Sequence, residues 1–157
     1  MKFFKALFGS KEEKPEEKKK AEEAKNFDVL KYDGVRALRA GQAEFAIRCF
    51  THALQMQDDL EIHDYLSQAY IRTGELTLAY EQLQKLAEAQ PDNQQIFIRM
   101  ANVAYMMEDY GAMAGACEKA MLIDDKTAEV MYLYARAVHR TGGRNQRRGN
   151  ADQGNIS

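Results

Sequence analysis

The sequence contains no tryptophan, two prolines and two cysteines, and only ten glycines among 157 residues. So few turn-forming residues exclude a β fold built from many tight turns. The two cysteines lie 68 residues apart, make no disulfide framework and fit a reducing compartment. No apolar run approaches the ~20 residues that a transmembrane helix needs. Because helix-favouring residues are abundant, the composition predicts an all-α fold. The use of cysteine predicts a cytoplasmic location.

The formal net charge of −2 hides an uneven distribution of charge along the chain. Residues 1–25 contain eight Lys and six Glu, and residues 140–157 contain four Arg and one Asp. The body between them, residues 26–139, holds ten basic and seventeen acidic residues and has a net charge of −7. Binding to phosphates requires a clustered basic face. The charge distribution therefore argues against nucleic acid as the main partner.

The N-terminal segment, residues 1–10, is short, apolar and basic. Its large apolar residues have the i, i+4 spacing of a helix face, and they are Phe3, Phe4, Leu7 and Phe8. Lys5 interrupts the apolar stretch, so the segment is not a secretory signal. Residues 11–26 are almost entirely charged, and the sequence leaves open whether they form a linker or a solvated helix.

From residue 27 onward the sequence repeats itself. The segment YLSQAYIRTG at residues 65–74 aligns with LYARAVHRTG at residues 133–142, two periods of 34 residues later. A period of this length is typical of paired-helix repeats. The repeats predict three full copies plus one extra helix, followed by a disordered tail at residues 143–157. The predicted copies are residues 27–59, 60–93 and 94–127, and the half copy is residues 128–142.

The repeated positions resemble those of the tetratricopeptide repeat family. The second copy carries the resemblance most clearly, at Leu66, Ser67, Tyr70, Gly74, Ala79, Leu83 and Pro91. The first copy matches at Leu30, Gly34, Ala37, Ala46, Phe50 and Ala53. The resemblance implies a right-handed α-solenoid that acts as a non-enzymatic protein-interaction scaffold. Small residues at Gly34, Ser67, Ala101 and Ala135 would let the helices approach closely.

In this family the first helices of successive copies line a concave groove that holds a peptide or a partner helix. Transferred by register, the resemblance implies the following groove residues here: Lys31, Val35, Arg39, Asp64, Tyr65, Gln68, Arg72, Ile98, Arg99, Asn102, Tyr105, Tyr132 and Arg136. Because several of them are arginines or tyrosines, we expect an acidic or aromatic peptide as partner.

Some co-chaperones of the family clamp a C-terminal carboxylate with five polar residues. Only Lys31 and Arg99 match that pattern here, whereas Val35, Tyr65 and Gln95 replace two asparagines and a lysine. A clamp that lacks three donors would leave a bound carboxylate poorly satisfied. We therefore do not expect this chain to bind a chaperone tail.

No residue pattern indicates catalysis, a metal ion or a cofactor. The three histidines, His52, His63 and His139, have no partner ligands at metal-binding spacing. Of the two cysteines, we expect Cys117 to be core filler and Cys49 to be partly exposed. The sequence therefore predicts a protein that is not an enzyme.

Two further interpretations remain open. The first is a peripheral membrane adaptor, in which the segment MKFFKALF anchors the repeats to a membrane surface. The second is self-association through residues 128–141, because this last helix carries apolar residues on both sides and no following helix covers them.

Overall fold

The computed structural model of the chain describes residues 14–153, with side chains described for residues 14–142. Over residues 14–153 the chain forms seven helices and no strand, which confirms the predicted all-α fold. The helices are α1 (Pro15–Arg39), α2 (Ala43–Met56), α3 (Leu60–Thr73), α4 (Leu76–Ala89), α5 (Gln94–Met106), α6 (Tyr110–Ile123) and α7 (Ala128–Gln153). The predicted membrane-contact residues Phe3, Phe4, Leu7 and Phe8 lie outside the described residues.

The chain divides into two compact units, Met1–Asp59 and Leu60–Ser157. In the first unit, α1 and α2 pack together as a helical hairpin. Helix α1 begins at Pro15, where a proline costs no helical hydrogen bond. The negative charge of Glu16 in the first turn stabilises the helix by its interaction with the positive end of the helix dipole. Residues 15–26 are therefore helical, and they are exposed to solvent. Phe27 is the first buried side chain of α1.

The second unit contains α3 to α7, in which each helix packs on the next and α5 also contacts α7. Helices α3 and α4 form one pair, α5 and α6 form another, and α7 is the extra helix. The core is formed by side chains that are almost fully buried, including Ile62, Leu66, Leu83, Val103, Met113 and Val130. In α4, for example, the buried residues Ala79, Gln82, Leu83 and Leu86 recur at three- and four-residue steps, so the helix buries one stripe.

The last helix continues to Gln153, past the point at which the sequence predicts a disordered tail. Gly142 and Gly143 each lower helix propensity by about 1 kcal/mol, but nothing forces the chain out of the helix at these positions. The predicted boundary at residue 142 is therefore corrected, whereas residues 154–157 lie outside the described part. Among the described helices, none is long and apolar enough to cross a membrane.

The turns that end α1, α3 and α5 share one hydrogen-bond pattern. Gly41, Gly74 and Glu108 have φ values of 80°, 78° and 59°, in the left-handed region. Each donates its N–H to the carbonyl three residues before it, and the next residue donates to the carbonyl five residues before itself. This Schellman arrangement satisfies carbonyls at the helix end. The third turn therefore forces a glutamate into a conformation that suits glycine.

We predict that Glu108→Gly stabilises the second unit. A left-handed conformation costs a non-glycine residue about 1–2 kcal/mol, and the greater freedom of glycine in the unfolded chain offsets part of this gain. We therefore expect the free energy of unfolding to rise by about 0.5–1 kcal/mol in urea denaturation. The control Glu118→Gly, in the exposed interior of α6, should instead lower it by about 1 kcal/mol. Equal effects of the two variants would contradict the prediction.

The tightest approach in the first unit is between Gly34 of α1 and the ring of Phe50 of α2. A Cβ atom on Gly34 would lie 2.5 Å from Cε1 of Phe50, a side chain that is fully buried. By contrast, a Cβ atom on Gly115 of α6 would meet no atom within 4 Å. The two helical glycines therefore form a matched pair for substitution.

We predict that Gly34→Ala lowers the free energy of unfolding of the first unit by about 1–2 kcal/mol, because overpacking against Phe50 outweighs the better helix propensity of alanine. Gly115→Ala should raise the free energy of unfolding by about 0.5–1 kcal/mol. Urea denaturation followed by circular dichroism measures both changes. A stabilising Gly34→Ala would show that the contact is not tight.

Candidate functional site

The first helices of successive pairs in the second unit, α3, α5 and α7, lie side by side and are joined by two arginines. Arg99 of α5 reaches back to α3, and Arg136 of α7 reaches back to α5. We call the surface that these contacts define the arginine face, and its residues are Asp64, Ser67, Arg99, Tyr105, Tyr132 and Arg136.

Arg99 is held against α3 by a single nitrogen of its guanidinium. Nη2 donates to Asp64 Oδ1 at 2.8 Å and to Ser67 Oγ at 2.7 Å. The Ser67 hydroxyl is fully buried and itself donates to the backbone carbonyl of Asp64 at 2.6 Å. Gln68 Nε2 donates to the same carboxylate oxygen at 3.0 Å. The four side chains therefore form one connected polar cluster.

Arg136 lies over aromatic rings. Its Cζ atom is 4.0 Å from the centroid of the Tyr105 ring and 6.0 Å from that of Tyr132, and Nη2 donates to the Tyr105 hydroxyl. Contacts between a cation and a ring face are worth about 0.5–2 kcal/mol. Tyr132 is 63% exposed, so this end of the arginine face presents both an aromatic ring and a positive charge to solvent.

The other predicted groove residues of the second unit differ in their exposure. Arg72, Gln68 and Asn102 are exposed, and Tyr65 is half-buried, with its hydroxyl donating to Glu61. Ile98 is only 4% exposed, so its side chain packs in the core and is not accessible to a partner. The repeat register correctly predicts that Ile98 lies on a first helix, α5. It does not show which face of α5 the neighbouring helices cover.

Three predicted groove residues belong to the first unit. Lys31 Nζ forms an ion pair with Asp59 Oδ2 at 3.0 Å, which joins α1 to the residue that ends the unit. Val35 is half-buried, and Arg39 is exposed at the end of α1. In the second unit the structure brings Arg99 together with Asp64, and Arg136 with Tyr105 and Tyr132.

A concave surface on the side of α4 and α6 was not predicted from the sequence. It is a groove of about 880 Å³, with Phe97 and Met100 among its lining residues. Leu122, at its edge, is 88% exposed, although it is a large apolar residue. The sequence feature that could have indicated this surface is the apolar run Met121, Leu122 and Ile123, which is wider than the stripe that α6 buries.

The histidines and the acidic residues show no metal-binding arrangement in the described part of the chain. His63 is buried, and its Nδ1 donates to Gln82 Oε1 at 2.6 Å. A buried histidine with a hydrogen-bond partner is a satisfied core residue. His52 and His139 are exposed.

Both cysteines are free and buried. The prediction that Cys49 is partly exposed is wrong, because this side chain is only 6% exposed and faces the core of the first unit. Burial raises the pKa of the Cys49 thiol, and Asp33 adds to the shift. In Cys117, burial raises the pKa to about 11, and Glu118 adds to the shift.

We predict that Cys117 reacts very slowly with iodoacetamide in the folded protein. Only the thiolate attacks, and raising the pKa from 9.0 to about 11 lowers the thiolate fraction roughly 100-fold below pH 9. Because the unfolded thiol ionises at the lower pH, unfolding in urea should restore the ordinary rate. Mass spectrometry of the peptide that carries Cys117 measures the rate, and rapid labelling of the folded chain at pH 8 would contradict the assigned burial.

No protein-family model matches the sequence, and no curated protein sequence matches it either. Solved structures do match. Yeast Tom70 is 21% identical with a TM-score of 0.73, and the match covers 81% of this chain but only 26% of Tom70. The Sgt2 TPR domain from Aspergillus fumigatus is 20% identical with a TM-score of 0.61, and the match covers 76% of this chain and 82% of that domain.

The first TPR of Spaghetti (RPAP3), in a structure with the HSP90 peptide SRMEEVD, is 13% identical with a TM-score of 0.62. That match covers 75% of this chain and 94% of the RPAP3 chain. These proteins share the paired-helix architecture described above, at sequence identities that report on the fold alone. The chain therefore has the tetratricopeptide-repeat fold.

Proposed function

We propose that the chain is a non-enzymatic protein-interaction scaffold and that the arginine face of the second unit binds a peptide segment of another protein. The observation that carries the proposal is the Arg136 cluster, in which a guanidinium fixed on one tyrosine lies beside a second, exposed tyrosine. A purely structural helix surface does not require this arrangement. Exposed arginine and tyrosine side chains are the residue types enriched at binding hot spots.

The chemistry of this face favours acidic or aromatic ligands. Arg99 of α5 and Arg136 of α7 place guanidinium groups on this face, although residues 26–139 carry a net charge of −7. A local field of one sign can act within a protein of the opposite net charge. Because the Tyr105 ring already orders Arg136, a ligand carboxylate would bind it at a small cost in side-chain entropy.

Structures of similar fold support a peptide partner. The first TPR of RPAP3 is bound to an HSP90 peptide, and the second TPR domain of human RPAP3 is in complex with an HSP70 peptide. Both peptides are acidic at their C-terminal ends. The proposal does not extend to chaperone tails for this chain, because its carboxylate-clamp pattern is incomplete and Lys31 is paired with Asp59.

The remaining interpretations stay predictions. Met131, Tyr132 and Val138 of α7 are exposed, and this favours the proposed self-association through residues 128–141. Three residues at i, i+4 and i+7, Met131, Ala135 and Val138, form an uncharged stripe that a second copy would cover. Cytoplasmic localisation and the peripheral membrane adaptor also stay predictions, and the adaptor rests on residues outside the described part.

Because no natural partner is needed, a synthetic peptide can test whether the arginine face binds acidic and aromatic ligands. We would label an octapeptide of four Glu-Phe units with fluorescein and measure its binding by fluorescence polarisation. We predict that Arg136→Glu weakens binding of this probe at least tenfold, because the reversal replaces a charge-assisted attraction by repulsion. Unchanged helical circular dichroism would show that the variant is folded.

The control for net charge is Arg48→Glu. Arg48 is an exposed arginine of α2 that also lies over an aromatic ring, with Cζ 5.5 Å from the centroid of Phe45. Because it lies outside the arginine face, we expect its reversal to change affinity by less than about twofold. Equal effects of the two reversals would show that binding follows overall charge, and the proposed site would then be wrong.

A further inference from the structure

In the proposed function the guanidinium of Arg99 contributes to ligand binding, but in the structure it is paired with Asp64. The contact is made through Nη2 alone, and in residues 14–142 the other guanidinium nitrogens of Arg99 make no hydrogen bond. A bidentate pairing, which is the strong form of this interaction, is therefore not formed. Arg99 is positioned on the arginine face, but its charge is matched in the free protein by a carboxylate of the same chain.

Both partners of this pair are accessible to solvent. The Asp64 side chain is 41% exposed and the Arg99 side chain is 31% exposed. Ion pairs between side chains this accessible to water are weak, because water screens the attraction and ordering two long side chains costs entropy. A ligand carboxylate can therefore displace Asp64, and Ser67 would still hold Arg99 in place through the second hydrogen bond.

The surroundings of the pair are acidic. A cleft of about 500 Å³ formed by α3, α4 and α5 is lined by Glu61, Asp64 and Arg99 among other residues. The charged groups in this lining are two carboxylates and one guanidinium. The Tyr65 hydroxyl donates to Glu61 Oε1 at 3.3 Å, whereas Asp64 Oδ1 accepts from Arg99.

We propose that Asp64 is an internal competitor for Arg99, which an acidic ligand must displace before it can bind that arginine. This inference rests on the proposed function of the arginine face. Asp64 then sets the selectivity of the site, because a ligand with one isolated carboxylate gains little by replacing an equivalent carboxylate. A ligand with several closely spaced carboxylates can engage Arg136 first and then compete locally for Arg99.

The test compares Asp64→Asn with Glu61→Gln in binding the Glu-Phe probe. Both substitutions remove one negative charge from the same cleft, but only the first removes the carboxylate bound to Arg99. We expect Asp64→Asn to bind the probe about three- to fivefold more tightly than wild type, and to exceed Glu61→Gln by at least twofold. The gain should disappear in the double variant Asp64→Asn with Arg99→Gln.

The outcomes separate this inference from the proposed function. If Arg136→Glu abolishes binding while Asp64→Asn and Glu61→Gln bind the probe equally, the site is correct and Asp64 does not compete. Weaker binding by Asp64→Asn would also overturn the inference, because Asp64 would then be a positioning residue for Arg99. If none of these proteins binds the probe, including Asp64→Asn, both proposals are wrong.

Discussion

The close approach of helices at one small residue in each repeat is the constraint on which the rest of the structure depends. In the first unit, Gly34 allows the ring of Phe50 to lie where a Cβ atom would otherwise be. The equivalent positions in the second unit, Ser67 and Ala101, are fully buried. A larger side chain at any of these positions would separate the helices, and the apolar stripes that form the core would lose contact.

The polar surface follows from this spacing. Because α3, α5 and α7 lie next to one another, an arginine on one helix reaches the preceding first helix, as Arg99 and Arg136 both do. Ser67 serves both purposes, since it is small enough for close packing and its hydroxyl accepts from Arg99. The packing of the second unit thereby fixes the positions of the charges that the proposed ligand would meet.

The two arginines are held by different chemistry, and this difference bears on the proposed function. An aromatic ring orders Arg136 without cancelling its charge, whereas Asp64 orders Arg99 and neutralises it. A site with one available and one occupied cation can distinguish ligands by the number of their carboxylates. The energies involved are small for single contacts between accessible groups, so selectivity of this kind depends on several contacts acting together.

The sequence by itself determined the all-α fold and the repeat period, because apolar spacing acts locally along the chain. The register of the repeat, together with the family resemblance, predicted that Arg99 and Arg136 lie on first helices of successive copies, and the structure places them on α5 and α7. Tertiary structure alone decided that Ile98 and Cys49 are buried, that Leu122 is exposed, and that Asp64 is the partner of Arg99. The physical reason is that periodicity defines the faces of each helix, whereas only the packing of neighbouring helices determines which face is covered and which long side chains come within hydrogen-bonding distance.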